Sequence, residues 1–329
     1  MDIALPHVKI IHYPKLGILK NTIFKVYAKE SLLIPLHTLK HKMMKNKLLT
    51  ALILMFLISS CEKSEDKIDN IPITQKGCYL STVVEGTYKT VYTYDTENRV
   101  IKTEYFEANV LDYYETFTYT NTNVTIKYFE GNGTADGQDV AEMQNGRITK
   151  SVDTDTYTDN GFTYTYIATY VFEYTNVGFL IKTTGEFKTT TNKPNTPATT
   201  KTASTTYTYQ NDNLIQTNYV SSSSNSISTD NYEYYTDKDN VLNMGYDIGD
   251  DDSHIFLFGK QSKNLLKKAS YLSKEIYNGV TYNSSGNDAY TYEYDSNNKP
   301  KKAIESVSRT SNGVTTNETD SYNLTLNCK

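Results

Sequence analysis

One short unit recurs along this chain and limits what the chain can become. Its clearest copy is Tyr92 to Lys102, YTYDTENRVIK. Degraded copies run Phe117–Lys127, Glu142–Lys150, Phe172–Lys182, Tyr207–Thr217, Tyr232–Met244 and Tyr292–Ala303. Most begin with Tyr or Phe, any residue, then Tyr, a spacing that puts both rings on one face of a strand. A polar run follows, then an alternating strand that usually carries lysine. The polar run is turn chemistry. Asp95 is placed to accept a hydrogen bond from the backbone two residues on, and Asn98 tolerates the left-handed conformation that closes a type I turn. Gly146 and Gly178 sit near the same place and adopt that conformation without strain.

Each unit is therefore a β-hairpin, and the chain reads as all-β. Consecutive hairpins predict a large antiparallel meander of about 14–18 strands, which must roll into a barrel or half-barrel because a flat sheet that size leaves long edges. The gap before the last copy has room for two more strands, around Ile255–Phe258 and Lys267–Tyr277. The polar low-complexity stretches Thr189–Thr206 and Ser221–Ser228 are expected as longer loops at one end.

The N-terminal region carries a different signal. Met43 to Lys47 is a short cationic start, Leu48 to Ile58 is apolar, and Ser59-Ser60-Cys61 follows. This describes a secretory signal peptide, too short to span a bilayer stably. Its end resembles a bacterial lipobox, which makes Cys61 the acylated first residue of the mature protein. Residues 1–42 are then read as an upstream extension from a misplaced start codon, with a genuine extension as the other reading. Residues 43–60 are the signal peptide, 61–76 a flexible tether and 77–329 a single β-meander domain. Glu62-Lys63-Ser64-Glu65-Asp66 resembles the acidic export signal of surface lipoproteins, against an ordinary solvated tether.

Charge narrows the partners. The chain has 33 Lys and Arg against 38 Asp and Glu; without the nine lysines and two acids of residues 1–60 it has 24 against 36, a net charge of −12. Such a protein repels phosphate backbones, so nucleic acid is not an expected partner. It also lacks the basic balance for binding anionic lipid, so membrane attachment is expected through the lipid anchor alone.

The repeat also resembles the tyrosine-aspartate repeat of Rhs-type proteins, which build β-shells, although only Tyr92-x-Tyr94-Asp95 and Tyr292-x-Tyr294-Asp295 keep the dipeptide. From Cys61 onward, including FGKQSKNLLKK (Phe258 to Lys268) and YTYEYDSNNKPKK (Tyr290 to Lys302), the chain is similar to a Bacteroidota family of lipoproteins of unknown function described as having a porin-like fold. The resemblance implies a large rolled antiparallel sheet and transfers no catalytic residue. A lipid-facing wall needs an apolar face about 25 Å tall. In Arg99–Glu107 neither alternating face is apolar, and the chain ends Asn327-Cys328-Lys329 rather than in an aromatic. The expectation is a water-soluble barrel or half-barrel on a lipid tether.

Catalytic chemistry finds little footing. After Cys61 the single histidine is His254, in an acidic turn (Asp250-Asp251-Asp252-Ser253-His254), so His-cluster zinc sites and serine or cysteine triads are disfavoured. Asp153-x-Asp155-x-x-x-Asp159-Asn160-Gly161, and Asp247 with Asp250 to Asp252, are acidic enough to attract calcium but lack EF-hand spacing. No catalytic residue, metal or cofactor is assigned. Tyrosine is abundant at 30 residues and tryptophan absent, which weakens a sugar-stacking reading and favours cross-strand ladders. With Cys61 acylated, Cys78 in the first strand and Cys328 in the last are expected to form a disulfide across the meeting edges; two buried free thiols are the alternative. The reading favoured is a non-enzymatic, outer-membrane, lipid-anchored scaffold that binds a glycan or protein. Its rival is a carboxylate-based carbohydrate-active hydrolase or a glycan-binding lipoprotein. The contents of the roll separate them: Tyr, Phe and Val filling favours the scaffold, converging Asp and Glu the enzyme.

Overall fold

The computed structural model describes residues 78–222, 226–242, 257–277, 280–311 and 313–328. The calls on Cys61, Asp247, Asp250 to Asp252 and His254 lie outside them, as does everything before Cys78.

The described residues form sixteen strands: β1 (Cys78–Glu85), β2 (Tyr88–Tyr94), β3 (Val100–Glu107), β4 (Val110–Tyr119), β5 (Asn123–Glu130), β6 (Ala135–Gln144), β7 (Arg147–Asp159), β8 (Phe162–Tyr174), β9 (Leu180–Thr191), β10 (Thr199–Gln210), β11 (Asn213–Ser221), β12 (Ser226–Asp239), β13 (Asn264–Tyr277), β14 (Val280–Tyr294), β15 (Pro300–Ser311) and β16 (Val314–Cys328). Every strand pairs antiparallel with its sequence neighbours, and β1 pairs with β16. The meander is a closed barrel, so the half-barrel alternative falls. At the seam Cys78 is the register partner of Cys328, and a disulfide joins them.

The turns follow from their residues. Asp95 Oδ1 accepts from the amides of Glu97 and Arg99, both at 2.9 Å, and Asn98 takes φ 62°. Asp295 does the same for Asn297 and Lys299, both at 2.8 Å, with Asn298 at φ 58°. In the β8–β9 hairpin Thr175 replaces the aspartate, accepting from Phe179 N at 3.0 Å, and Gly178 supplies φ 99°. Beyond most of these turns the returning strand carries one extra residue. Ile101, Thr149, Ile181, Ile215 and Lys301 are each passed over in the pairing register, the bulge that such a turn produces.

A bulge interrupts the ladder and leaves backbone polar groups to be satisfied elsewhere. At four bulges a tyrosine from the following strand supplies the donor. Tyr94 Oη donates to Leu80 O at 2.6 Å, Tyr119 to Val100 O at 2.7 Å, Tyr174 to Ile148 O at 2.7 Å and Tyr292 to Leu266 O at 3.0 Å. Each acceptor immediately precedes a passed-over residue: Ser81, Ile101, Thr149 and Lys267. In three copies the second aromatic of the repeat, Tyr94, Tyr119 or Tyr174, thus fastens its own hairpin to the strand before it, and in the last copy the first aromatic, Tyr292, does so.

The sixth copy departs from expectation. Its return strand does not start at Val241; β12 ends at Asp239, and among the described residues the next strand begins at Asn264. Asn240 instead turns locally, with Oδ1 accepting from Leu242 N at 3.2 Å and its own amide bonding Lys263 O at 2.7 Å. The strand expected around Ile255–Phe258 is absent at Leu257 and Phe258, whose side chains are drawn into the barrel core; Ile255 is outside the described residues. The polar stretches expected as loops are mainly strand: Thr189–Thr206 supplies the end of β9 and the start of β10, and Ser221–Ser228 the facing ends of β11 and β12. Threonine is β-branched and suits a strand wall wetted on one side.

The core lies at the end of the barrel that holds these tight turns. Val100, Phe117, Val124, Ile126, Ile148, Phe172, Leu180, Tyr207, Tyr232 and Tyr290 pack there with Leu257 and Phe258. A smaller cluster of Leu80, Val83, Leu242, Leu265, Ala303, Tyr322 and Leu324 sits beside the seam.

Removing only the Tyr119 hydroxyl, as Tyr119→Phe, keeps the ring and orphans the Val100 carbonyl. It is expected to lower unfolding stability by about 1–3 kcal/mol in denaturant titrations. Tyr88→Phe, whose hydroxyl meets an exposed Glu107 carboxylate at 3.0 Å, should cost less than about 0.5 kcal/mol.

Candidate functional site

The two faces of the wall have opposite chemistry. Cross-strand partners share a face, so the inward rings of each Tyr-x-Tyr leave the middle residue outside. That residue is glutamate in three copies, directly opposite the lysine of the returning strand: Glu173–Lys182 at 2.8 Å, Glu293–Lys302 at 3.4 Å and Glu233–Lys268 at 3.8 Å. Glu142–Lys150 at 3.0 Å and Lys102–Glu104 at 2.6 Å continue the pattern. Exposed aliphatics such as Val140, Val152, Val171, Val220, Ile227 and Leu272 are scattered over six strands among threonines and lysines. Among the described residues no helix is long and apolar enough to cross a membrane. Charge recurs around the outside of the strands, where Phe106 and the stacked pair Tyr114 and Phe129 also lie beneath Lys89 and Lys102, while most of the other aromatics are within.

Inside, the tight-turn end is stoppered. The segment 257–263 is held by Lys260 N to Gly178 O at 2.9 Å, Lys263 N to Asp212 O at 3.0 Å and Leu214 N to Ser262 Oγ at 3.1 Å. Asn213 and Asn264 pair through Asn264 N to Asn213 Oδ1 at 2.9 Å and Asn213 Nδ2 to Asn264 Oδ1 at 3.0 Å. Phe258 packs on Phe172 with ring centroids 5.1 Å apart. Gly259 has φ 88°, and a Cβ there would fall 2.5 Å from Gly178 O, so only glycine passes this point. Toward the other end inner-face residues change from buried to half-buried: along β7 Ile148 and Ser151 are buried, while Asp153, Asp155, Tyr157 and Asp159 are partly open. The barrel is a cup with one filled end.

Two arcs of carboxylates line the cup above its filling. On β11–β16 each acid is held by neighbours. Asp230 accepts from Thr217 Oγ1 at 2.7 Å and Ser228 Oγ at 3.1 Å; Asp288 lies 3.9 Å from Arg309; Glu305 accepts from Tyr290 and Tyr322 hydroxyls at 2.9 and 2.8 Å. Burial pushes the Glu305 carboxyl upward, and the two tyrosine hydrogen bonds oppose that shift. The arc on β4–β7 is crowded instead. Glu115, 1% exposed, meets the Tyr105 hydroxyl at 3.5 Å, and Tyr128 donates to Asp139 at 2.8 Å. Burial first, then the charges of Asp139 and Asp155, raise the Asp153 carboxyl to about 6.

Asp153, Asp155 and Asp159 lie on one face of one extended strand, so Asp155 stands about 7 Å from Asp153 and about 14 Å from Asp159, and the three do not converge. Asn160 and Gly161, at φ 48° and 79°, form the β7–β8 turn. Among the described residues no three His, Cys, Asp or Glu side chains gather as a metal site. Sequence reasoning singled out Asp153 and Asp155 but missed Glu115, Asp139, Asp288, Glu305 and Arg309. Parity was the available signal: Glu115 lies two residues before Phe117, hence on the inner face.

No family model matches the chain, and no curated protein does. Among solved structures it is similar to a porin-like protein from Bacteroides uniformis, at 15% identity and TM-score 0.47, over 77% of this chain and 97% of that one. It is also similar to a porin-like protein from Bacteroides vulgatus, at 14% identity and TM-score 0.45, over 76% of this chain and 98% of that one.

An aspartate whose folded-state carboxyl binds protons more tightly than the unfolded one opposes folding above its raised value and ceases to do so once both forms are protonated. Asp153→Asn is therefore expected to raise the thermal midpoint at neutral pH. The gain should shrink as pH falls through about 6 and vanish below the ordinary value of 3.8, as thermal melts across that range will show.

Proposed function

We propose that this protein is a lipid-anchored, water-immersed β-barrel of the outer membrane, a non-enzymatic scaffold whose cup binds a ligand. The observation carrying this reading is the ring of Glu–Lys pairs on the outer wall. Most of these pairs lie close to the tight-turn ends of their strands, where charge against lipid costs little; outward charges nearer mid-strand, such as Glu186 and Lys188 on β9, would cost up to about 2–4 kcal/mol for a lysine in hydrocarbon at the bilayer midplane. The filled end supports the same reading, since Leu257 and Phe258 pack into the core that fills the tight-turn end. The filling of Tyr, Phe, Val and Leu side chains favours a scaffold over a hydrolase. The tether is Cys61, acylated after Ile58-Ser59-Ser60, and the Cys78–Cys328 disulfide suits export to an oxidising compartment. The acidic stretch Glu62 to Asp66 supports transfer to the cell surface.

Cys61→Ala should move the protein from the membrane to the soluble fraction of fractionated cells, and purified wild type should give no conductance steps in planar bilayers. Retention of the variant after a high-salt wash, or stepwise conductance, would overturn the reading. Unreduced, purified protein should show no alkylatable thiol at Cys78 or Cys328 by mass spectrometry. Breaking that bond should cost up to about 5 kcal/mol, because it closes a loop of 250 residues.

A further inference from the structure

The crowded arc has a chemistry that the scaffold reading does not yet use. Its members follow one another across the inner wall: Thr103 on β3 opposite Glu115 on β4, Glu115 opposite Tyr128 on β5, and beyond it Asp139 on β6 and Ser151, Asp153 and Asp155 on β7. Adjacent strands are about 4.8 Å apart, so the carboxylates from β4 to β7 extend over roughly 14 Å. A point metal needs oxygens converging within 2.6 Å of one centre, which this spread denies. A neutral sugar has no charge to set against four carboxylates.

Two further features point to an occupant with several hydrogen-bond donors. The hydroxyls of Thr103 and Ser151, at residues 0% and 4% exposed, stand at the two ends of the row, and neither has a hydrogen-bond partner. Buried hydroxyls in that state are costly unless something completes them. Next along the wall, toward the open end, Tyr157 and Tyr164 stack with centroids 5.1 Å apart, and Tyr166 lies 6.3 Å from Phe187. These half-buried rings offer faces to methylenes and to cationic nitrogens.

We propose that the β4–β7 inner wall binds an extended organic polycation, an aliphatic polyamine, with ammonium groups on the half-buried Asp139, Asp153 and Asp155, the buried Glu115 adding its charge from behind them, and the chain passing over the tyrosines. Such a ligand spaces its charges along a chain as the wall spaces its acids. The proposal rests on the cup being open to water, as the preceding reading has it. The groups facing Asp153 are Asp139 from β6, Tyr128 from β5, Asp155 on its own strand, and Ala168 and Tyr166 from β8.

The test is calorimetric titration of the purified full-length protein with spermidine, calcium chloride and maltotriose in turn. Spermidine alone should bind at about pH 7.5, and affinity should fall severalfold, up to about tenfold, at pH 5, where Asp153 takes up its proton. Asp139→Asn and Asp153→Asn should each weaken spermidine about tenfold. Glu142→Gln, which alters an outer-wall pair, should leave affinity unchanged. Circular dichroism confirms folding, and Ser151→Ala provides a second variant that removes no charge and should weaken binding severalfold. Equal losses from Glu142→Gln, no effect of the inner variants, no spermidine binding, or preferential binding of calcium or maltotriose would overturn the proposal. Failure here with release of Cys61→Ala from membranes and silent bilayers would leave the tethered scaffold intact.

Discussion

The barrel depends on tyrosine hydroxyls that reach back to backbone carbonyls at bulges. A tight turn with its following bulge lets a hairpin close in few residues, yet each bulge leaves a gap in the ladder. In a protein interior an unmatched carbonyl costs about 1–3 kcal/mol. Tyr94, Tyr119, Tyr174 and Tyr292 meet that requirement with a ring that simultaneously fills the core. Phenylalanine supplies the volume without the donor, and serine the donor without the volume. This explains why a chain without tryptophan carries so much tyrosine. It also makes the repeat cooperative, because each hairpin completes the bonding of the strand before it.

The same alternation sorts charge. Fixing the two rings inward fixes the residue between them outward, and the strand register places it against the returning lysine. Exposed pairs of this kind add little stability, about 0–1 kcal/mol each. Their effect is on the chemistry of the wall, since they set charge on the outer face of several hairpins while the repeat's paired rings fill the inner face.

Turns and fold class were legible because they are local: Asp95, Asn98, Gly146 and Gly178 act within their own hairpins. What escaped reading depends on distant partners. The segment around Leu257 and Phe258 looks like a strand by its apolar run, but Gly259 against Gly178 and the Asn213–Asn264 pair commit it to the interior instead. The threonine-rich stretches look like loops by composition, yet in the sheet each threonine is one step of an alternating wall. The inner acids were hidden for another reason. Glu115 and Glu305 are unremarkable in isolation, and only the parity set by neighbouring aromatics turns them inward. Closure is a two-ended fact: the cysteines at Cys78 and Cys328 pointed to the meeting of first and last strands, but only the pairing of β1 with β16 decides between barrel and half-barrel.

The seam carries a directional consequence. Cys78 begins β1 and Cys328 ends β16 at the tight-turn end, the end filled by Leu257 and Phe258. Any attachment upstream of Cys78 therefore grips the barrel by its stopper. The partly open rim, with Asp155, Tyr157 and Tyr164, sits at the opposite pole. An attachment there leaves the mouth of the beaker at the pole farthest from the point of attachment, free to meet whatever diffuses past.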